Sequence, residues 1–192
     1  MSSLIRLNKF WKNKKVFLTG HTGFKGTWFS IFLKLLGAKI YGYSLKPNTS
    51  LNLFNLTKLD KNINKSIFGD IRDYKRLKES ILKFSPDFVV HMAAQPLVGE
   101  SYVDPKYTYE VNTMGTINVL NILNEINFVK NALIITTDKV YSNKNIKKYF
   151  KENDILGGID PYSSSKSCAE IVVNSYSKSF FRKKKISVAT AR

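Results

Sequence analysis

The sequence predicts an α/β fold, a doubly wound parallel sheet, from three observations. Apolar runs of strand length recur along the chain, amphipathic stretches of helix length alternate with them, and a glycine-spaced loop follows the first apolar run. Strands are expected over residues 15–19, 40–43, 65–68, 88–92, 132–136 and 186–191. Helices fall between them, at 25–36, 74–84, 107–126 and 161–181. The first is closed by Gly37 in the position of a C-terminal cap. Residues 48–62 show no clean period and read as a loop or broken helix. Six strands is the number of a dinucleotide-binding doubly wound sheet. No repeat, low-complexity tract or linker divides the chain, so residues 1–192 form one domain. The chain halts at Thr190-Ala191-Arg192, directly after the sixth strand, which favours the front part of a longer protein over a complete minimal domain.

Composition narrows the function classes. With 43% hydrophobic and 13% aromatic residues the chain is an ordinary globular protein rather than a disordered one. It holds no apolar run long enough to span a bilayer, and residues 1–15 lack the apolar centre of a secretory signal, so a cytoplasmic protein without membrane contact is expected. The single Cys168 excludes an internal disulfide, and no ligand cluster is spaced for a metal. The net charge of +17 is the footprint of a nucleic-acid binder. It comes almost wholly from scattered lysines, however, whereas specific phosphate and base contacts favour arginine. The abundance of Lys, Asn, Ile, Phe and Tyr fits an AT-rich genome, and no nucleic-acid partner is expected. The dense run Arg182-Lys183-Lys184-Lys185 reads as a solvated loop.

The loop Thr19-Gly20-His21-Thr22-Gly23-Phe24-Lys25-Gly26 carries the first chemical signal. Gly20, Gly23 and Gly26 let a backbone approach a pyrophosphate, and the following helix aims free N–H groups and its positive dipole end at the phosphate charge. The acidic residue that usually holds the adenosine ribose is missing after the second strand, where Ser44-Leu45-Lys46 stands, so this criterion leaves NAD and NADP open. Asp70 with Ile71, past the third strand, is placed to contact adenine. Ala93, Ala94 and Gln95 end the fourth strand with small residues against which a cofactor could lie. His91 and His21 are read as packed residues rather than bases.

Tyr162 and Lys166 are spaced to share one helix face, where a lysine cation would favour the phenolate and help it accept a substrate proton. Thr137, leaving the fifth strand, supplies a hydroxyl for the same substrate oxygen. Together these three form a hydride-transfer set.

In this order the glycine loop, strand-end Thr and Tyr-x-x-x-Lys resemble the extended short-chain dehydrogenase/reductase family, with a Rossmann-type fold. Five segments resemble, within it, the nucleotide-sugar 4,6-dehydratases that act on CDP-glucose. They are the glycine loop, His91-Met92-Ala93-Ala94-Gln95-Pro96-Leu97-Val98, Asn112-Thr113-Met114-Gly115-Thr116, Thr136-Thr137-Asp138-Lys139-Val140-Tyr141 and Leu156-Gly157-Gly158-Ile159-Asp160-Pro161-Tyr162. The resemblance implies NAD as cofactor, with Tyr162 removing the sugar 4-hydroxyl proton as hydride leaves C4. It further implies that Lys139 removes the C5 proton, Asp138 protonates the departing 6-hydroxyl, and the stored hydride returns to C6. Lys139 would need desolvation or a neighbouring cation to be partly neutral, and Asp138 would need burial to keep its proton. The family also implies a smaller substrate domain, missing here, and a homodimer of the full-length form joined through the helices at 107–126 and 161–181. Gly99 stands where the pattern has arginine. The alternatives are a UDP-N-acetylglucosamine 4,6-dehydratase, which shares the Asp-Lys pair, and a noncatalytic NAD-binding fragment.

Overall fold

The computed structural model describes residues 3–142 and 149–192. Six strands, β1 (Lys15–Thr19), β2 (Lys39–Ser44), β3 (Lys65–Phe68), β4 (Phe88–His91), β5 (Asn131–Ile135) and β6 (Ser187–Ala191), form one sheet in the order β3-β2-β1-β4-β5-β6. Every neighbouring pair is parallel. This is the doubly wound Rossmann topology, and the strand order reverses between β1 and β4.

Alternation within the central strands builds a core on each face. Val16, Leu18, Ile40 and Val90 pack on one side with Leu33 of helix α2 (Phe24–Leu35). Phe17, Tyr43, Val89 and Ile134 face the other. There they meet Leu77 and Ile81 of α5 (Tyr74–Phe84), Val119, Leu120 and Leu123 of α8 (Gly115–Glu125), and Val173 of α9 (Pro161–Tyr176). Burying each such side chain stabilises the fold by about 1.5–3 kcal/mol.

Several elements differ from expectation. A helix, α1 (Ser3–Trp11), precedes the first strand and is anchored by Trp11, whose ring lies 5.0 Å from that of Phe88. The region read as a broken helix contains two single turns, α3 (Leu53–Leu56) and α4 (Leu59–Asn62). A short α6 (Val98–Val103) contains Gly99. The helix expected at 107–126 starts earlier, because Asp104 caps it by accepting from Tyr107 N and Pro105 fits its first turn. It runs as α7 (Pro105–Tyr109), a π-turn over Glu110–Met114, then α8. The expected helix at 161–181 likewise ends in a π-turn, Ser177–Phe181, and continues as α10 (Arg182–Lys184), so the basic run is an exposed helix end rather than a loop. Gly37 has φ +84° and follows α2 as expected of a cap.

Candidate functional site

The predicted site residues of the glycine loop and of the turns after β3, β4 and β5 lie at or just past the carboxyl ends of the parallel strands, and Tyr162 and Lys166 lie on the first turns of α9 (Pro161–Tyr176). Gly20, with φ +77°, makes the turn out of β1. A Cβ there would sit 2.7 Å from Ala93 N, and one on Gly26 would sit 2.1 Å from Gly20 O. Only glycine lets β1, the start of α2 and the Ala93-Ala94 turn approach this closely. Gly23 occupies the cap position of α2, where no side chain bonds the first-turn N–H groups, and that turn carries Lys25 and no acid. The result is a cradle open to an anion, which a pyrophosphate would fit. Thr22 ties the loop to β2 by hydrogen bonds with the Ser44 hydroxyl and Leu45 O, both 2.9 Å. Phe24 is largely exposed.

Asp160 caps α9 by accepting from Ser163 N, and Pro161 sets its first turn, so the helix starts one residue before Tyr162. Lys166, one turn on, is 5% exposed and donates to the Ile135 carbonyl at 3.2 Å. Burial pushes its pKa down to about 8; the Glu170 carboxylate opposes this and the Lys25 cation adds to it. Lys25, at the start of the helix after the glycine loop, is thus near enough to act on Lys166.

The Thr137 hydroxyl lies close enough to the Tyr162 phenol to favour its ionised form, so the two polar groups expected to share a substrate oxygen are neighbours. The acidity of the phenol differs from expectation. Burial raises its pKa, the nearby Thr137 hydroxyl works against this, and Asp138 and Asp160 add to the rise, while Lys166 is directed at the Ile135 carbonyl. Asp138 and Lys139 start a short 3-10 turn, with Thr137 donating to Asp138 at 3.1 Å. Both are exposed, so the desolvation expected for them is absent in this chain. Asp138 borders a cavity of about 580 Å3 that Tyr141, Phe150, Glu152 and Arg192 also line.

Two candidates are engaged elsewhere. Asp70 receives the Arg72 backbone N–H at 2.9 Å, the guanidinium Nε at 3.1 Å and Nη2 at 2.7 Å, which uses its ordinary acceptor directions. The Arg72 side-chain bond, acting against burial, holds its pKa below the usual carboxylate range. An adenine contact by this carboxylate would have to displace Arg72. Ile71 is buried in the core. Gln95 is committed to the scaffold: its side chain bonds Leu97 O, Leu97 N and Thr108, and its backbone is held by Asn112. Ala93 and Ala94 remain half-buried at the crevice.

Sequence reasoning missed a buried cluster behind the site. Glu170 accepts from Thr136 at the end of β5, from Thr190 at 3.0 Å and from Arg192 at 2.9 Å. Its place one turn past Lys166, continuing the four-residue spacing from Tyr162, was the available signal. His21 is also buried, bonded to Ser66 at 2.7 Å, and burial pushes its pKa down to about 4. Among the described residues no group of His, Cys, Asp and Glu could hold a metal ion, and no helix is long and apolar enough to cross a membrane.

A reversed parallel sheet, a glycine turn into α2 and a Tyr-x-x-x-Lys helix facing a strand-end threonine define a Rossmann fold of the short-chain dehydrogenase/reductase class. The family model for GDP-mannose 4,6 dehydratase matches residues 17–187, and the chain belongs to that family. A CDP-glucose 4,6-dehydratase from Salmonella typhimurium is 46% identical over 172 residues, covering 90% of this chain and 48% of its own length. The X-ray structure of Pal from Bacillus thuringiensis superposes with a TM-score of 0.80 at 29% identity, covering 93% of this chain and 55% of that one. UDP-glucose 4-epimerase from Brucella ovis, in complex with NAD, gives 0.76 at 25% identity, with 92% and 50% covered. The chain spans about half the length of the curated relatives it matches.

Proposed function

We propose that this chain is the cofactor-binding part of an NAD-dependent nucleotide-sugar 4,6-dehydratase, a lyase acting on CDP-glucose in the cytoplasm. The observation that carries the reading is the nearness of the Thr137 hydroxyl to the Tyr162 phenol beside the Asp138-Lys139 pair. Its main support in kinship is the 46% identity to a CDP-glucose 4,6-dehydratase.

NAD supplies reversible hydride acceptance when bound. Gly20, Gly23 and Gly26 with the α2 N–H groups and Lys25 would hold its pyrophosphate, and Ala93, Ala94 and Lys166 its nicotinamide half. The NAD-bound epimerase of the same fold favours NAD over NADP. Tyr162 takes the proton of the sugar 4-hydroxyl, with Thr137 orienting that oxygen. Lys139 takes the C5 proton, which a neighbouring ketone makes acidic, and Asp138 gives a proton to the leaving 6-hydroxyl. Because Asp138 and Lys139 are exposed here, the sugar and whatever closes over it must supply the desolvation that tunes them.

The test is calorimetry with NAD, followed by product analysis with CDP-glucose and UDP-N-acetylglucosamine. A 4-keto-6-deoxy product from CDP-glucose alone supports the proposal, and one from the UDP sugar alone replaces the substrate. NAD binding without turnover in a chain of the relatives' full length would reduce the protein to a noncatalytic cofactor binder. The exposed Met114, Ile171 and Phe180 on the helix pair around α8 and α9 favour a homodimer through that face, which light scattering would detect.

A further inference from the structure

His91 is a fully buried titratable group to which the proposed chemistry assigns no task, and the hydrogen bonds around it leave one arrangement of protons. Thr19 Oγ1 accepts from Ala93 N and from Met92 N, each at 3.1 Å, the Met92 N–H being shared with the Thr19 carbonyl at 3.2 Å. With both lone pairs used, its own proton goes to His91 Nδ1, 2.7 Å away. Nδ1 is therefore the acceptor, and the ring proton sits on Nε2. From there it is donated to Thr116 Oγ1 at 3.2 Å, whose own proton is committed to the Asn112 carbonyl at 2.7 Å. Asn112 Nδ2 donates in turn to Ser165 Oγ at 2.9 Å, and Ser165 donates to the Tyr162 carbonyl at 2.7 Å. Thr19, His91, Thr116, Asn112 and Ser165 are all at most 1% exposed. A second ring proton would meet a Thr19 oxygen with no acceptor site left. Burial, reinforced by the Lys166 cation, pushes the His91 pKa down to about 3.

We propose that His91, fixed as its Nε2–H tautomer between Thr19 and Thr116, is a positioning residue that sets the spacing of the crevice floor and ties it to the helix bearing Tyr162 and Lys166. The Ala93 N that Thr19 holds is, with the Met92 carbonyl carbon, nearest to a Cβ placed on Gly20, at 2.7 Å, so the glycine turn and the Ala93-Ala94 turn are separated by what this relay permits. Were the proton on Nδ1, Thr19 would have to release one of its two backbone N–H partners. The claim about the crevice rests on the cofactor reading above; the tautomer does not.

The test combines 15N NMR of the imidazole with NAD affinity in the 192-residue chain, where two histidines keep assignment simple. At neutral pH the expected spectrum shows a bare Nδ1 and a protonated Nε2. Thr116→Val, an isosteric change that removes the Nε2–H acceptor, is expected to give mixed tautomers and about tenfold weaker NAD binding. Thr116→Ser is expected to restore both. His91→Asn, whose amide oxygen can replace Nδ1 as acceptor for Thr19, should bind NAD more tightly than His91→Leu. A protonated Nδ1 in the unaltered chain, or equal losses in His91→Asn and His91→Leu, overturns the proposal. A shifted tautomer with unchanged affinity overturns the claim about the crevice. If the unaltered chain binds no NAD at all, the functional reading fails, while the tautomer measurement still decides the role of His91.

Discussion

Arg192 Nη2 lies 2.9 Å from Glu170 Oε2, joining the last residue of the chain to the middle of α9, and the side chains are only 17% and 4% exposed. The guanidinium also lies 4.9 Å over the Tyr141 ring and donates to its hydroxyl. Removing one partner of so buried a pair strands the other charge. Glu170→Ala is therefore expected to destabilise by about 3–5 kcal/mol in urea unfolding. Burial works to raise the Glu170 pKa, yet hydrogen bonds from Arg192, Thr136 and Thr190 together hold it below the ordinary value. A carboxyl depressed in the folded state contributes stability above its unfolded pKa and loses it as pH falls through the folded one. The difference between unaltered chain and Glu170→Gln should thus shrink on acidification below about pH 4. A pH-independent difference would contradict it.

Lys166 gives a pH dependence of the same sign at the alkaline end of the scale. Its pKa is lowered to about 8 chiefly by burial, so the unfolded chain binds the proton more tightly, and holding the cation costs stability at neutral pH. The cost lifts as pH rises from about 8 to 10.5. Lys166→Met should then be more stable at pH 7 by about 1–2 kcal/mol, after allowing for the lost bond to Ile135 O, and should lose NAD affinity. Thermal melts at pH 7 and pH 10 would decide it: the gain should be present at the first and absent at the second.

Two glycines provide a matched pair. Gly26→Ala drives a Cβ into the Gly20 carbonyl, costing about 1–3 kcal/mol and closing the anion cradle. Gly99→Ala, in exposed α6 with open space around it, should stabilise by about 0.5–1 kcal/mol and leave NAD affinity unchanged. Similar effects from both would mean that the close approach at the glycine turn is not what selects glycine.

Roles within the proposed site separate by intermediate. In a protein of the relatives' full length, Tyr162→Phe should lower turnover by about 10²–10⁴ with NAD affinity little changed. Asp138→Asn and Lys139→Ala should instead halt after oxidation at C4, and reduced cofactor should accumulate, read by its absorbance. If those two variants eliminated water at the normal rate, the assigned division of labour would be wrong.

Strand positions were legible because parallel strands buried on both faces form continuous apolar runs between amphipathic helices, and all six strand expectations overlap the observed elements. Helix α1 was not legible, since Arg6 and Lys9 interrupt its apolar residues and its anchor, Trp11, is a tertiary contact. The predicted residues gather at one end because chain direction alone sends every strand exit there. What those residues do electrostatically was not legible: Lys166 against Ile135 O depends on a partner 31 residues away, and the pairing of Asp70 with Arg72 and the exposure of Asp138 depend on side-chain direction, which no sequence pattern gives. His91 was correctly read as packed, but its tautomer follows from Thr19 and Thr116, which no local motif connects to it.

The π-turn at Glu110–Met114 leaves α7 and α8 out of phase. Each residue of an ordinary helix advances about 100° around the axis, so deleting one residue there would straighten the rod while swinging everything before it by that angle. Thr108 would then rotate off Gln95, and Tyr107 off the Arg72 guanidinium that rests 4.8 Å above it. The irregular turn acts as a gear setting, meshing one helix with two different surfaces at once, and its length in residues should tolerate change less well than its composition.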